Sequence, residues 1–270
     1  MSHHYLHFNS VSFTYPDGTK ALSEVSFEMH HGERIGLIGA NGAGKSTLLQ
    51  LLGGFLVAQS GSIDLGGLKI TPSTIAEVRR TLGFVFQDAD DQLFMPTVFE
   101  DVAFGPANLG VEEPELTPLV LETLKRTGIA HLADRPPYHL SGGQKRAAAI
   151  ATVLASTPSM LVLDEPANAL DPMARRRIIE QLKGFTHSQL IASHDLDLVL
   201  DLCHRVVILH EGKVAAVAPP MTVFKDKELL ARCGLLPPLR MQQLPPEGPQ
   251  LKVVEGHHHE APHHHHTAEK

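Results

Sequence analysis

The stretch GANGAGKST, residues 39–47, sets a lysine and two hydroxyl side chains directly behind a glycine-rich turn. Its spacing, G-x-x-x-x-G-K-[ST], is that of a phosphate cradle. Glycines let consecutive backbone N–H groups curl around phosphate oxygens, and the following helix start adds the positive end of its dipole. In this pattern Lys45 meets the β- and γ-phosphates and Ser46 offers its hydroxyl to Mg²⁺, with Gly39, Asn41, Gly42, Gly44 and Thr47 completing the cradle. A glycine turn that merely precedes a helix looks alike in isolation. Context separates the two: the apolar run RIGLIG lies before the loop, and KSTLLQLLGG after it has helical periodicity. Strand, loop and helix in that order predict a nucleoside triphosphate site and nothing narrower.

A second glycine loop, LSGGQ, occupies residues 140–144. Ser141 is a good N-cap, so the first-turn amides of the next helix point outward. Alone, the motif is equally an ordinary capped helix start. It stands ahead of MLVLDEP, an apolar run ending in the paired carboxylates Asp164 and Glu165.

Several elements must position these groups. YLHFNSVSFTY alternates as a strand and turns at Pro16-Asp17-Gly18; LSEVSFEMH is a second strand ending at His31-Gly32. Residues 88–158 read as mostly helical, with LTPLVLETLKRTGI and SGGQKRAAAIATVLA as helices. MLVLDE and SQLIAS are buried strands, DPMARRRIIEQLKGF and DLDLVLDLC helices, and RVVILHEGKVAAVA a hairpin turning at Glu211-Gly212. Strands alternating with helices predict an α/β core with a mostly parallel sheet, and the helical block an inserted subdomain. No internal repeat is present. From residue 237 the sequence PPLRMQQLPPEGP reads as a linker or loosely docked extension, flexible to the end at 270.

Composition narrows the class. The 270 residues suffice for a full core, and 43% hydrophobic with 20% charged is ordinary for a soluble globular protein. A net charge of −7 disfavours broad nucleic-acid binding. Cys203 and Cys233 have no paired spacing for zinc and read as reduced core thiols in a cytosolic protein. MSHHYLHFNS carries no apolar signal segment, and no run approaches the ~20 apolar residues of a membrane span; the run at 147–155 reads as a buried helix. At a membrane, such a protein sits on partners.

The phosphate loop, LSGGQ and MLVLDEP together resemble the ATP-binding cassette (ABC) ATPases, over residues 5 to about 235. The resemblance implies a P-loop fold with a RecA-like core, an antiparallel β subdomain and an inserted α-helical subdomain within 1–236. It also implies a dimer of the chain with itself, in which the signature loop of one copy (Ser141, Gly142, Gly143, Gln144) closes over the γ-phosphate held by the other. Roles follow by matched position. Tyr15, in FTYPDG, stacks on adenine, or is a strand-end tyrosine of the core. Gln87, in GFVFQD, touches Mg²⁺ and the attacking water; Asp164 holds Mg²⁺ through water. Glu165 is the general base, or merely caps its strand. Asp171, in NALD, sits at the dimer interface, and His194, in IASHD, contacts the γ-phosphate. In EPANALD, Ala167 and Asn168 replace the family's more usual small hydroxyl or glycine residues, which removes no catalytic group.

The segment DDQLF…TVFEDVAFGPANLG is similar to the energy-coupling-factor (ECF) importers of vitamins and of cobalt or nickel ions. That resemblance implies a transmembrane energy-coupling subunit, a substrate-binding membrane subunit and a place on the cytoplasmic face of the membrane. Leu93, Phe94 and Met95 are apolar anchors for a partner helix, or subdomain core. A soluble ABC protein acting on DNA or ribosomes is the reading from a different class; its usual tandem cassette or long coiled coil is not found. The chain ends EGHHHEAPHHHHTAEK, with His257, His258, His259, His263, His264, His265 and His266 in two clusters. Imidazole is a good ligand for Ni²⁺ and Co²⁺. Three readings stand: an engineered tag, a native tail without a role, and a native tail that buffers or senses the transported metal. His3, His4 and His7 read either as metal-binding or as merely solvated.

Overall fold

The computed structural model describes residues 4–242. The chain opens with two long antiparallel strands, β1 (His4–Thr14) and β2 (Lys20–His30). Asp17 closes the turn between them by accepting the Thr19 N–H at 2.9 Å. β3 (Arg34–Ile38) runs into the phosphate loop and α1 (Lys45–Leu52). Next come β4 (Ser60–Leu65), β5 (Leu68–Lys69), α2 (Ile75–Thr81) and β6 (Leu82–Val85). The helical block holds α3 (Val98–Asn108), α4 (Leu116–Arg126) and α5 (Gly142–Ala155). The chain then alternates β7 (Met160–Asp164), α6 (Pro172–Gly184), β8 (Ser188–Ala192) and α7 (Leu196–Leu202). It closes through β9 (Arg205–His210), β10 (Lys213–Ala218), α8 (Pro220–Lys225) and α9 (Lys227–Arg232).

The strands form two sheets. One is antiparallel, in the order β2-β1-β4-β5. The other runs β10-β9-β3-β8-β7-β6 and is parallel except for the β9–β10 hairpin. Every residue of β7 and β8 is buried, which suits central parallel strands covered on both faces. Of the buried polar pair on β8, Ser188 Oγ accepts from the Gly32 N–H and the Gln189 amide nitrogen donates to the Leu182 carbonyl at 2.7 Å, while the Gln189 amide oxygen is left without a partner. The helical block has its own core, with Val98, Val102, Val120, Leu124, Ala148 and Ala151 packed together. These layers are the ABC ATPase architecture that the sequence resemblance implies.

Four neighbouring parallel strands decide the location of chemistry. β3, β8, β7 and β6 end at one edge, where a doubly wound sheet places its ligands. The phosphate loop follows β3, His194 follows β8, Asp164 and Glu165 end β7, and Gln87 follows β6. Cys203 and Cys233 are buried and unpaired, and burial pushes the Cys203 thiol up to about 12. The loosely docked extension expected from 237 differs at its start: residues 237–242 are fastened to α7 through Arg240. His3 and both tail clusters, 257–259 and 263–266, lie outside the described residues.

Candidate active site

Gly44 is the N-cap of α1 at φ 104°, and no side chain caps the helix. A Cβ at this position would stand 2.6 Å from the Ala21 carbonyl oxygen, so only glycine lets the loop pass this close to β2. The uncapped first-turn amides are left to an anion. Lys45 folds back to brace the loop, donating from Nζ to the carbonyls of Gly39 at 2.8 Å and Ala40 at 3.2 Å. Burial lowers its pKa, opposed by the negative charges of Glu165 and Asp164.

Those carboxylates end the buried strand β7. Burial raises the Asp164 carboxyl above its ordinary range, while the Ser46 hydroxyl and the Lys45 ammonium pull it back. Glu165 is also raised by burial. Its backbone takes φ +48°, a left-handed turn that is rare outside glycine. This turn ends the strand and carries the side chain toward the phosphate loop. Oε2 accepts from the backbone N–H of His194 at 3.2 Å and the Ser193 hydroxyl at 3.4 Å. Oε1 is buried without a hydrogen-bond partner, 3.5 Å from His194 Nε2. A buried carboxylate oxygen with nothing to accept is what a general base presents to water. The same imidazole nitrogen lies 3.2 Å from Lys45 Nζ.

Tyr15, Asn41, Gly42, Gly44, Lys45, Ser46, Thr47, Gln87, Asp164, Glu165 and His194 line one cavity of about 500 Å³. Thr19, Lys20, Ala21 and Asn168 join them, and nothing in their local pattern marked the first three. Tyr15 stands at the wall with its hydroxyl 3.0 Å from Thr47 Oγ1 and its ring edge-on to Phe13. Gly39 contributes its carbonyl to Lys45 and is not part of the wall.

The signature residues stand apart. Ser141 is the expected N-cap of α5, with Gln144 returning the bond in a full capping box. Gly143 lies against α6, where a Cβ would meet that of Ala174 at 2.8 Å. Of this loop Leu140 and Gly142 reach an adjoining cavity of about 640 Å³, which shares Ser46, Gln87, Asp164 and Asn168 with the first. Asp171 caps α6, accepting from the N–H groups of Met173 and Ala174 at 2.9 Å each. Within one chain it therefore has a complete structural job.

Sequence reasoning missed Arg146. Its buried guanidinium donates to the carbonyls of Phe86, at 2.6 Å, and Gln87, tying α5 to the segment that carries Gln87. Lys145 to Asp90 at 2.6 Å, and Gln92 to the Ala149 carbonyl at 2.7 Å, reinforce the tie.

The ABC transporter family profile matches residues 22–168. A Geobacter sulfurreducens protein provisionally named an ABC transporter ATP-binding protein is 53% identical over 91% of this chain and 98% of its own length. The energy-coupling factor transporter ATP-binding protein EcfA of Methanocaldococcus jannaschii is 43% identical over 83% of this chain and 82% of its own. Among solved structures, cbiO1 from Clostridium perfringens, part of the ABC transporter complex cbiONQ, superposes with a TM-score of 0.76 at 40% identity, covering 85% of this chain and 94% of its own. A dimeric ATP-binding cassette in a post-hydrolysis state, bound to ADP and Pi, matches with a TM-score of 0.72 at 27% identity over 80% of this chain and 98% of its own. A phosphate cradle facing a buried carboxylate with one oxygen free of hydrogen bonds, on a chain with these relatives, makes this an ATP-hydrolysing member of the ABC transporter ATP-binding family, with close kin of the energy-coupling-factor type.

Proposed function

We propose that the chain is the motor of an ECF-type importer of cobalt or nickel ions. Two copies sandwich two ATP molecules, and closing and opening of the sandwich drives membrane partners. The histidine-rich end supports the cargo, because fourteen closing residues holding seven imidazoles suit Ni²⁺ and Co²⁺ better than an organic vitamin. Among the described residues no cluster of three or more His, Cys, Asp and Glu side chains is arranged for a metal ion, so the cargo reading rests on the tail. The tail would buffer the ion on the cytoplasmic side, with the ion crossing through the membrane subunits.

The sandwich is supported by what the nucleotide cavity lacks in one chain. Ser141, Gly142, Gly143 and Gln144 are absent from its wall, and a second copy's signature loop would complete it. Ser46, Gln87 and Asp164 offer a hydroxyl, an amide oxygen and a carboxylate along the seam of the two cavities. These are the hard oxygen donors Mg²⁺ takes, so the three fit the ion and would hold it. When bound it neutralises phosphate charge. Lys45 and the α1 amides then hold the phosphates, Glu165 takes the proton of the attacking water, and His194 keeps Glu165 and Lys45 aligned.

No helix among the described residues is long and apolar enough to cross a membrane, so attachment falls to a docking surface. The anchor reading of residues 93–95 divides. Leu93 is subdomain core, whereas Phe94 is 63% exposed and packs edge-on against the exposed Phe104, 5.0 Å between ring centroids. This aromatic pair would receive a helix of the energy-coupling subunit at the cytoplasmic face of the membrane.

The test is uptake by cells carrying the complete transporter, measured with labelled cobalt and nickel at limiting concentration. The full chain is expected to accumulate one of the two, and a chain lacking residues 256–270 several-fold less at the lowest concentrations. Uptake of a vitamin with neither metal would overturn the cargo; equal uptake at every concentration would remove the tail from function.

A further inference from the structure

Residues 237–242 cross the first turn of α7, the helix that begins directly after the turn bearing His194, the histidine that by its matched position senses the γ-phosphate and so acts as a switch. One side chain makes most of the attachment. Arg240 donates from Nε to Asp197 Oδ1 at 2.7 Å, from Nη2 to the Asp197 carbonyl at 2.8 Å, and from Nη1 to Asp201 Oδ1 at 2.9 Å. The Leu239 N–H occupies Asp197 Oδ2 at 2.9 Å. A planar guanidinium thus grips two carboxylates one helical turn apart and a backbone carbonyl between them, which its fixed fork allows and a lysine ammonium does not.

A second clamp holds the N-cap of the same helix. Arg175 of α6 forks Asp195, with Nη2 3.0 Å from Oδ1, while that oxygen also caps α7 by accepting the Leu198 N–H at 2.8 Å. His194 is the residue immediately before this cap. Arg175, His194, Asp195, Asp197 and Arg240 all line one cavity of about 820 Å³, whose wall residues 237–240 and 242 join. α7 has only seven residues, too few for its own hydrogen bonds to hold it as a stiff rod. It also carries like charges at i and i+4, Asp197 and Asp201, which repel unless something bridges them.

We infer that Arg240 is a positioning residue for ATP hydrolysis. By bridging Asp197 and Asp201 it fixes the start of α7, and with it the turn 193–195 that holds His194 Nε2 3.2 Å from Lys45 Nζ and 3.5 Å from Glu165 Oε1. The inference rests on the reading of His194 as the switch residue. Without Arg240 the turn keeps one clamp of two, and the imidazole explores orientations that do not align the base. Misplacements of this size lower turnover without changing how the phosphates are gripped, because the phosphate loop lies on other elements.

Steady-state ATP hydrolysis by the purified full-length chain tests this. Arg240→Ala is expected to lower kcat about tenfold with KM for ATP within about twofold. Arg240→Lys should recover part of kcat, since one ammonium reaches one carboxylate. Asp197→Ala should match Arg240→Ala, and the double variant should be no slower than either single one. Melting temperatures should stay near wild type, because the pair is partly exposed. If Arg240→Ala keeps wild-type kcat while His194→Ala loses turnover, the clamp is refuted and the site stands. Wild-type kcat in His194→Ala refutes the switch reading and the clamp with it. A raised KM at unchanged kcat, or additive losses in the double variant, would place the effect of Arg240 elsewhere and overturn the inference.

Discussion

Glu165→Gln is expected to lower kcat by about 10²- to 10⁴-fold while ATP binding persists. The amide keeps the shape of the side chain and one oxygen acceptor, so the bonds from the His194 N–H and the Ser193 hydroxyl survive. What disappears is basicity at the oxygen that has no partner. Lys45, Ser46 and the α1 amides are untouched, and ATP should accumulate in an intact site. On the sandwich reading, gel filtration with ATP should then show a long-lived dimer that wild type forms only briefly. Normal hydrolysis by this variant would remove Glu165 from the role of base.

The same substitution carries a stability signature of opposite sign. Burial raises the folded-state pKa of Glu165 above its unfolded value, so the ionised carboxylate disfavours the fold. That penalty is absent below the unfolded pKa, grows as pH rises through the window between the two values, and is complete above the folded one. Freed of nucleotide by chelator and dialysis, Glu165→Gln should therefore melt higher than wild type at neutral pH, with the gap closing as pH falls into the acid range. A gap that widened on acidification would mean the desolvation argument is wrong. A candidate catalytic group that costs the empty protein stability is the expected pattern where function competes with folding.

Much of this was legible before any coordinates, for identifiable reasons. β3 and β7 carry apolar runs because both sheet faces are covered, β8 keeps a shorter one over 190–192, and α5 is a long alanine-rich helix behind a serine cap. The segment from 60 to 85 was illegible because its signals are too short. β4 buries only Ile63 and Leu65 fully, β5 has two residues, and α2 buries Val78 alone, so each borrows its conformation from the sheet it joins. In the site, residues fixed by a spaced motif were found. Thr19, Lys20 and Ala21 were not, because they reach the cavity through pairing of β1 with β2. Asp171 shows the converse: its place in NALD suggested an interface, and its visible work is to cap α6.

Arg146 shows most clearly what a motif search leaves out, and its removal should be costly. Two residues beyond LSGGQ, it reads as one more basic residue of an exposed helix start. Instead it is 5% exposed, and burial lowers its pKa against the favourable charges of Asp88, Asp164 and Glu165. Arg146→Met keeps much of the length and apolar stem but offers no donor. The carbonyls of Phe86 and Gln87 lose their bonds to it, and the acidic edge of the site loses a counter-charge. The expected loss is about 2–5 kcal/mol by denaturant titration. Arg146→Lys should fall between, since one ammonium cannot satisfy two carbonyls as a planar fork does. A change within about 0.5 kcal/mol for Arg146→Met would reduce the tie to a surface contact. If the loss is as large as expected, the signature helix and the segment bearing Gln87 form one mechanical piece. Whatever a second copy's ATP does to Ser141 through Gln144 would then reach Gln87, and the exposed Phe94 beyond it, through a buried guanidinium.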